Sequence, residues 1–165
     1  MNETLMQRIF GFLEGEWRGE GEGMFPTIDN FRYVEHLRFS VDEERPFCHL
    51  EQRTWIKPSA KPSHWESGFL SFEENMTGSL RTVQSGGRSE VILLEEAIAT
   101  DEKIELKFSP STISHDFRIV GTSRQWILNL VNASFSYEMQ MATQNVTKLQ
   151  LHLRATLSKV GGNKS

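Results

Sequence analysis

A single cysteine, five prolines and two tyrosines stand among the 165 residues, and each scarcity removes a class of protein. One thiol, Cys48, allows neither an internal disulfide framework nor a cysteine-built metal cluster, which suits a reducing compartment and makes the residue a packing element. Continuous apolar stretches of membrane-spanning length are absent. The opening segment Met1 to Leu13 carries Glu3 and Arg8 without the charged and apolar zones of a signal peptide, so a cytoplasmic location is expected. The sequons at Asn75, Asn132 and Asn145 then have no glycosylation role. Basic side chains are outnumbered, 18 against 22 acidic ones, and no basic run tracks phosphates, so neither nucleic acid nor a membrane surface is expected as a partner.

What the chain has is alternation. From Gly15 to Gly23 a glycine or tryptophan occupies every odd position and a charge every even one, so a strand here has one face of Gly15, Trp17, Gly19, Gly21 and Gly23 that is almost bare backbone. Such a face serves sharp coiling of a closing barrel or close approach of a ligand, and both readings stay open. Upstream, Leu5, Met6, Ile9, Phe10 and Leu13 recur at helical spacing behind Asn2 and Thr4 as caps, predicting a helix over 3–13.

Downstream the period is two. Phe31, Tyr33, Leu37 and Phe39 share a face, as do Ile104, Leu106 and Phe108, then Trp126, Leu128 and Leu130, then Phe135, Tyr137, Met139 and Met141. Turn signals divide 15–160 into about ten short strands. A meander of this many antiparallel strands loses its edges by closing, and a barrel of that size is too wide to fill itself. The expectation is one domain over 1–165: an all-β antiparallel barrel with a short N-terminal helix, a ligand-sized cavity and a polar tail at 161–165.

Five histidines are the chemical candidates, since no catalytic triad order, zinc motif or phosphate loop occurs. His36, His49 and His115 read as surface residues. His64, in Ser63-His64-Trp65-Glu66-Ser67-Gly68, follows a proline-rich loop at a strand start, where the rim of a barrel lies. His152, in Leu149-Gln150-Leu151-His152-Leu153-Arg154, alternates with the leucines, and periodicity alone turns it to solvent. Covering of the leucines by the opening helix, or a local bulge, would turn it inward instead. An inward imidazole whose second nitrogen is held by an acceptor can ligate a metal, and a lone histidine suffices where a porphyrin supplies the remaining ligands.

The run Gly15-x-Trp17-x-Gly19-x-Gly21-x-Gly23 is followed by Phe25-Pro26-Thr27-Ile28 and Phe31-x-Tyr33-x-Glu35. Together with Gln52-x-Thr54-Trp55, His64-x-Glu66-Ser67-Gly68-Phe69 and Gln150-x-His152-Leu153-x-Ala155-x-Leu157, it resembles the nitrobindin family from about Phe12 to Val160. The resemblance implies a ten-stranded antiparallel barrel, similar to lipocalins and fatty-acid-binding proteins, holding a ferric b-type haem on the histidine matching His152. It implies nitric oxide binding and isomerisation of peroxynitrite to nitrate. Ser63, His64 and Met141 would form the distal side and Thr27 would lie at the haem edge, in a monomer or homodimer. Leu151 stands where relatives carry proline, Phe25 where they carry tyrosine, and Arg118 is the stand-in for a missing lysine. A haem-free carrier of a small apolar ligand is the alternative, and a ligand-free interaction domain a third possibility.

Overall fold

Side chains that alternate between apolar and polar produce strands with one wet and one dry face, and here those dry faces turn inward around a common axis. The computed structural model describes residues 4–26, 28–73, 77–110 and 112–161. One helix, α1 (Leu5–Leu13), precedes eleven strands: β1 (Gly15–Gly23), β2 (Phe31–Val41), β3 (Phe47–Ile56), β4 (Lys61–Phe72), β5 (Gly78–Gln84), β6 (Ser89–Ala99), β7 (Lys103–Phe108), β8 (Thr112–Ser114), β9 (Ile119–Asn129), β10 (Ser134–Thr143) and β11 (Gln150–Lys159). The order β5-β4-β3-β2-β1-β11-β10-β9-β7-β6 is closed by pairing of β5 with β6. The short β8 pairs with the first residues of β6 while β7 takes the last ones. The closed ring therefore has ten antiparallel members, as the alternation and the resemblance predict.

Strand β10 shows the logic. Phe135, Tyr137, Met139 and Met141 are buried, whereas Glu138 between them is exposed. The glycines of β1 do two things. A Cβ on Gly19 would overlap the Thr156 carbonyl oxygen of β11, so this backbone approach requires glycine. At Gly21 and Gly23 a Cβ would overlap the rings of Tyr33 and Phe31, which lie against the bare backbone and themselves face the interior. The empty face thus supports the aromatic lining of the cavity, joining the two readings left open by the sequence.

The helix closes one end. Thr4 Oγ1 accepts from Gln7 N at 3.2 Å while Gln7 Oε1 accepts from Thr4 N at 2.8 Å, a reciprocal cap that fixes the first turn. Ile9, Phe10 and Leu13 are buried, and fully burying an Ile or Leu contributes roughly 1.5–3 kcal/mol. Phe10 meets Phe72 at the end of β4 with ring centroids 5.4 Å apart. Trp17 Nε1 donates to the Leu13 carbonyl at 2.7 Å, and Lys159 Nζ donates to that of Phe12 at 2.9 Å, satisfying carbonyls at the helix end. The opposite end, where β1 leaves and β11 enters, is the mouth. Cys48 is fully buried and its thiol is pushed up to about 12 by that burial.

Candidate functional site

The mouth is shaped by bulges. Met139 pairs with Leu153 and Gln140 with Leu151, so His152 is the extra residue in β11. Likewise Ser63 is skipped where Thr54 pairs with His64 and Trp55 with Pro62, and Val120 is skipped where Gly121 pairs with Ala142 and Ile119 with Thr143. A bulge shifts the parity of the side chains beyond it. Leu157 and Ala155 point inward by ordinary alternation, and past the bulge His152 does so too, with 2% exposure. The helix does not perform this turn, because it covers the other end.

The inward imidazole is held in one tautomer. His152 Nδ1 lies 3.0 Å from the Gln150 carbonyl oxygen. A carbonyl only accepts, so Nδ1 carries the proton and Nε2 presents a lone pair. Nε2 is buried and finds no hydrogen-bond partner among the described residues, a state that costs about 1–3 kcal/mol when nothing else satisfies it. Phe25 meets the ring edge-on at 4.8 Å and stacks on Phe31 at 5.9 Å, so the imidazole has little room to swing. Among the described residues no group of three or more His, Cys, Asp or Glu could hold an ion. An unmet, acceptor-oriented imidazole without companion ligands fits an iron whose in-plane positions are filled by a macrocycle.

The His152 residue lines a cavity of about 940 Å³, near the upper end for small-molecule sites. Ser63, His64, Met141 and Arg118 also line it. Met141 is buried, whereas the Arg118 guanidinium is engaged by Asp116 at 3.0 and 3.1 Å and remains mostly exposed. Thr27 lies outside the described residues. Leu151 takes a ladder position opposite Gln140 without removing the bulge beside it. His36 is exposed against Trp55, His49 binds Ser67 Oγ at 2.7 Å, and His115 is exposed; none of the three lines the cavity.

Two polar networks escaped the sequence reading. In the first, Tyr137 Oη donates to Glu35 Oε2 at 2.7 Å and Gln52 Nε2 donates to Glu35 Oε1 at 2.7 Å, with Tyr33 Oη 2.9 Å from Tyr137 Oη. Burial pushes the Glu35 carboxyl up, and the Tyr137 and Gln52 hydrogen bonds bring it only partly back, to about 7. In the second, Arg124 Nη2 reaches Glu66 Oε1 at 2.7 Å and Glu90 Oε2 at 3.2 Å, while His64 Nε2 sits 3.0 Å from Glu66 Oε2. Burial raises the Glu66 carboxyl, but Arg124 and His64 outweigh it and hold the group at about 2.

Glu35 makes a measurable prediction. A folded value above the ordinary carboxylate value means that its contribution to stability is complete below about pH 4 and is lost as pH rises through 7. Thermal or urea unfolding across this range should show wild type losing on the order of 3 kcal/mol that Glu35→Gln retains. Parallel profiles would assign the buried carboxyl an ordinary affinity for its proton.

A closed barrel around a large hollow, with an oriented and buried imidazole in its lining, is a ligand-binding barrel rather than a filled structural one. Residues 8–159 match the family described as THAP4-like, heme-binding beta-barrel domain, and the chain belongs to that family. It is 34% identical over 149 residues to a protein named Peroxynitrite isomerase Rv2717c from Arabidopsis thaliana, covering 90% of this chain and 86% of that one. To Peroxynitrite isomerase 1 of Rhodococcus jostii it is 33% identical over 145 residues, covering 88% and 79%. The crystal structure of Rv2717c from M. tuberculosis superposes with a TM-score of 0.84 at 26% identity, over 96% of this chain and 99% of that one.

Proposed function

We propose that the chain holds a ferric b-type haem on His152 Nε2 and there isomerises peroxynitrite to nitrate, with nitric oxide as a second ligand. The observation that carries this reading is the buried Nε2, without a hydrogen-bond partner among the described residues, of a histidine that a bulge turns into the lining of a 940 Å³ cavity. Family membership and relatives named as peroxynitrite isomerases support it. When bound, the ferric haem would supply a Lewis acid with an open position that polarises an oxygen of peroxynitrite.

The residues around it bind, orient and exclude. Gln150 contributes a neutral carbonyl rather than a carboxylate to Nδ1, so His152 is a modest electron donor and oxygen activation is disfavoured. Met139 and Met141 give an apolar stretch of the lining that offers no hydrogen-bond donor of its own. Phe25 and Phe31 keep the ligating ring in place. Among the described residues, a fatty acid as the carrier alternative would find no unpaired arginine for its carboxylate. Arg88, Arg118 and Arg124, the arginines lining the cavity, are each already paired with Glu90, Asp116, or Glu66 and Glu90.

Stopped-flow decay of peroxynitrite tests the activity. Protein loaded with ferric haem should speed the decay in proportion to its concentration and raise the nitrate yield, while haem-free protein leaves the rate unchanged. Loaded protein that leaves both unchanged overturns the assignment. The single cysteine, free and buried, supports a reducing compartment such as the cytoplasm as the site of this activity, and the protein would act there as a monomer or homodimer.

A further inference from the structure

We propose that Tyr33 and Tyr137, with Glu35 as proton acceptor, form a sacrificial trap for nitrogen dioxide and a site of tyrosine nitration, an inference resting on the reading that peroxynitrite reacts in this cavity. Homolysis of the O–O bond of peroxynitrous acid yields nitrogen dioxide and a hydroxyl radical, the branch that isomerisation avoids. Nitrogen dioxide is small and uncharged, so no charge penalty keeps it from a hollow lined by phenylalanines and methionines. Both tyrosines of the chain line that hollow. They stand in one aromatic wall with His152: ring centroids are 4.8 Å apart from His152 to Phe25, 5.9 Å from Phe25 to Phe31 and 6.2 Å from Phe31 to Tyr33. A radical released beside the imidazole therefore meets this pair.

The hydrogen bonds of the pair run in one direction. Tyr137 Oη has a single proton, which goes to Glu35 Oε2 at 2.7 Å, and its lone pairs receive Gln52 Nε2 at 3.0 Å and Tyr33 Oη at 2.9 Å. Tyr33 thus donates to Tyr137 and Tyr137 to Glu35; the Arg154 carbonyl, 3.4 Å from Tyr33 Oη, is the longer alternative. Burial pushes both phenols well up, so neither gives up its proton alone and an electron leaves only with one. Glu35, raised to about 7 by its own burial, holds a proton better than an exposed carboxylate does. Trp126 also lines the hollow but packs among Phe39, Phe108 and Phe135, none of which accepts a proton.

In the oxidation step nitrogen dioxide takes one electron from Tyr137 and becomes nitrite, the phenol O–H bond breaks, and the proton crosses the 2.7 Å hydrogen bond to Glu35 Oε2. A neutral phenoxyl radical and a neutral carboxylic acid remain. Transfer of the Tyr33 hydrogen atom along the 2.9 Å bond shares the radical between the two residues. A second nitrogen dioxide then bonds to the ring carbon beside Oη, and the hydrogen of that carbon moves to the oxygen, giving 3-nitrotyrosine.

Nitrogen dioxide generated by pulse radiolysis of nitrite solution is the probe, applied to the full haem-free chain. Because the sequence has two tyrosines, phenoxyl absorption can come only from this pair. Wild type should show it, and Tyr33→Phe should retain it on Tyr137. Tyr137→Phe leaves Tyr33 the Arg154 carbonyl, which cannot take up a proton, and Glu35→Gln removes the base; each should slow radical formation about a hundredfold. Protein loaded with ferric haem and treated with excess peroxynitrite should, on digestion, carry its nitro group on Tyr137 or Tyr33. A phenoxyl rate that Glu35→Gln leaves unchanged, or oxidation and nitration confined to tryptophan and methionine, overturns the proposal. Loaded protein that fails to speed peroxynitrite decay overturns the isomerase reading instead, and the radiolysis result still decides the trap.

Discussion

His152→Ala should abolish the Soret band that develops when wild-type protein is titrated with ferric haem. The reason is that nothing nearby can replace the lost bond. The other histidine lining the cavity, His64, is engaged by Glu66, and no cysteine, aspartate or glutamate cluster offers a substitute among the described residues. Loss of an outer partner of a metal ligand ordinarily costs 10–100-fold in affinity, so removing the ligand itself should exceed about a hundredfold. Far-ultraviolet circular dichroism should stay at the wild-type value, because the bulge is set by backbone pairing with β10 and by Met24 N donating to the His152 carbonyl at 2.7 Å. A variant that keeps an unaltered Soret band would remove His152 from the iron. Free imidazole added to His152→Ala should restore part of the band by filling the space the ring vacates.

Arg124→Met should be the most damaging change to stability, lowering it by about 3–5 kcal/mol at neutral pH. Two buried carboxylates, Glu66 at 2.7 Å and Glu90 at 3.2 Å, depend on that one guanidinium. Thr122 Oγ1 donating to Glu90 at 3.1 Å, and Arg88 at 3.0 Å from it, leave Glu90 partly served, so Glu66 bears most of the loss. The pH dependence separates this account from simple loss of packing. In wild type Glu66 is held at about 2, below its unfolded value, so its contribution is present above about pH 4 and fades as pH falls toward 2. In Arg124→Met the sign inverts: burial without the guanidinium raises the Glu66 carboxyl, and the variant should gain stability relative to wild type as acid neutralises it. Urea unfolding at several pH values reads this directly. A constant deficit at all pH values would mean that the guanidinium matters for its volume alone.

The ring of strands was legible because a period of two survives in nearly every segment, and a hollow follows once so many strands close. The motifs around His64 and His152 were legible for the same reason, being short and ordered along the chain. What alternation concealed was the direction of His152. A bulge adds one residue to β11 and to no other strand at that point, and its presence depends on the register with β10, which is a property of two segments rather than one. The polar networks were hidden differently. Glu35 shares the inward face of Tyr33, Leu37 and Phe39, and Glu90 that of Ile92, so each was visible as a lone acid on an apolar face. Their partners are not local: Tyr137 lies 102 residues from Glu35, and Arg124 lies 34 from Glu90. Periodicity can report an acid that faces inward, but only the assembled ring shows the phenol or guanidinium that stabilises it.

The stopper formed by α1 shuts one end of the hollow, where Ile9 and Leu13 are wholly shielded. A prosthetic group held at His152 would stand toward the opposite end, with the space lined by Leu37, Leu50 and Trp126 behind it. Among the described residues, small molecules reaching that space would then share their route with the exchange of the prosthetic group.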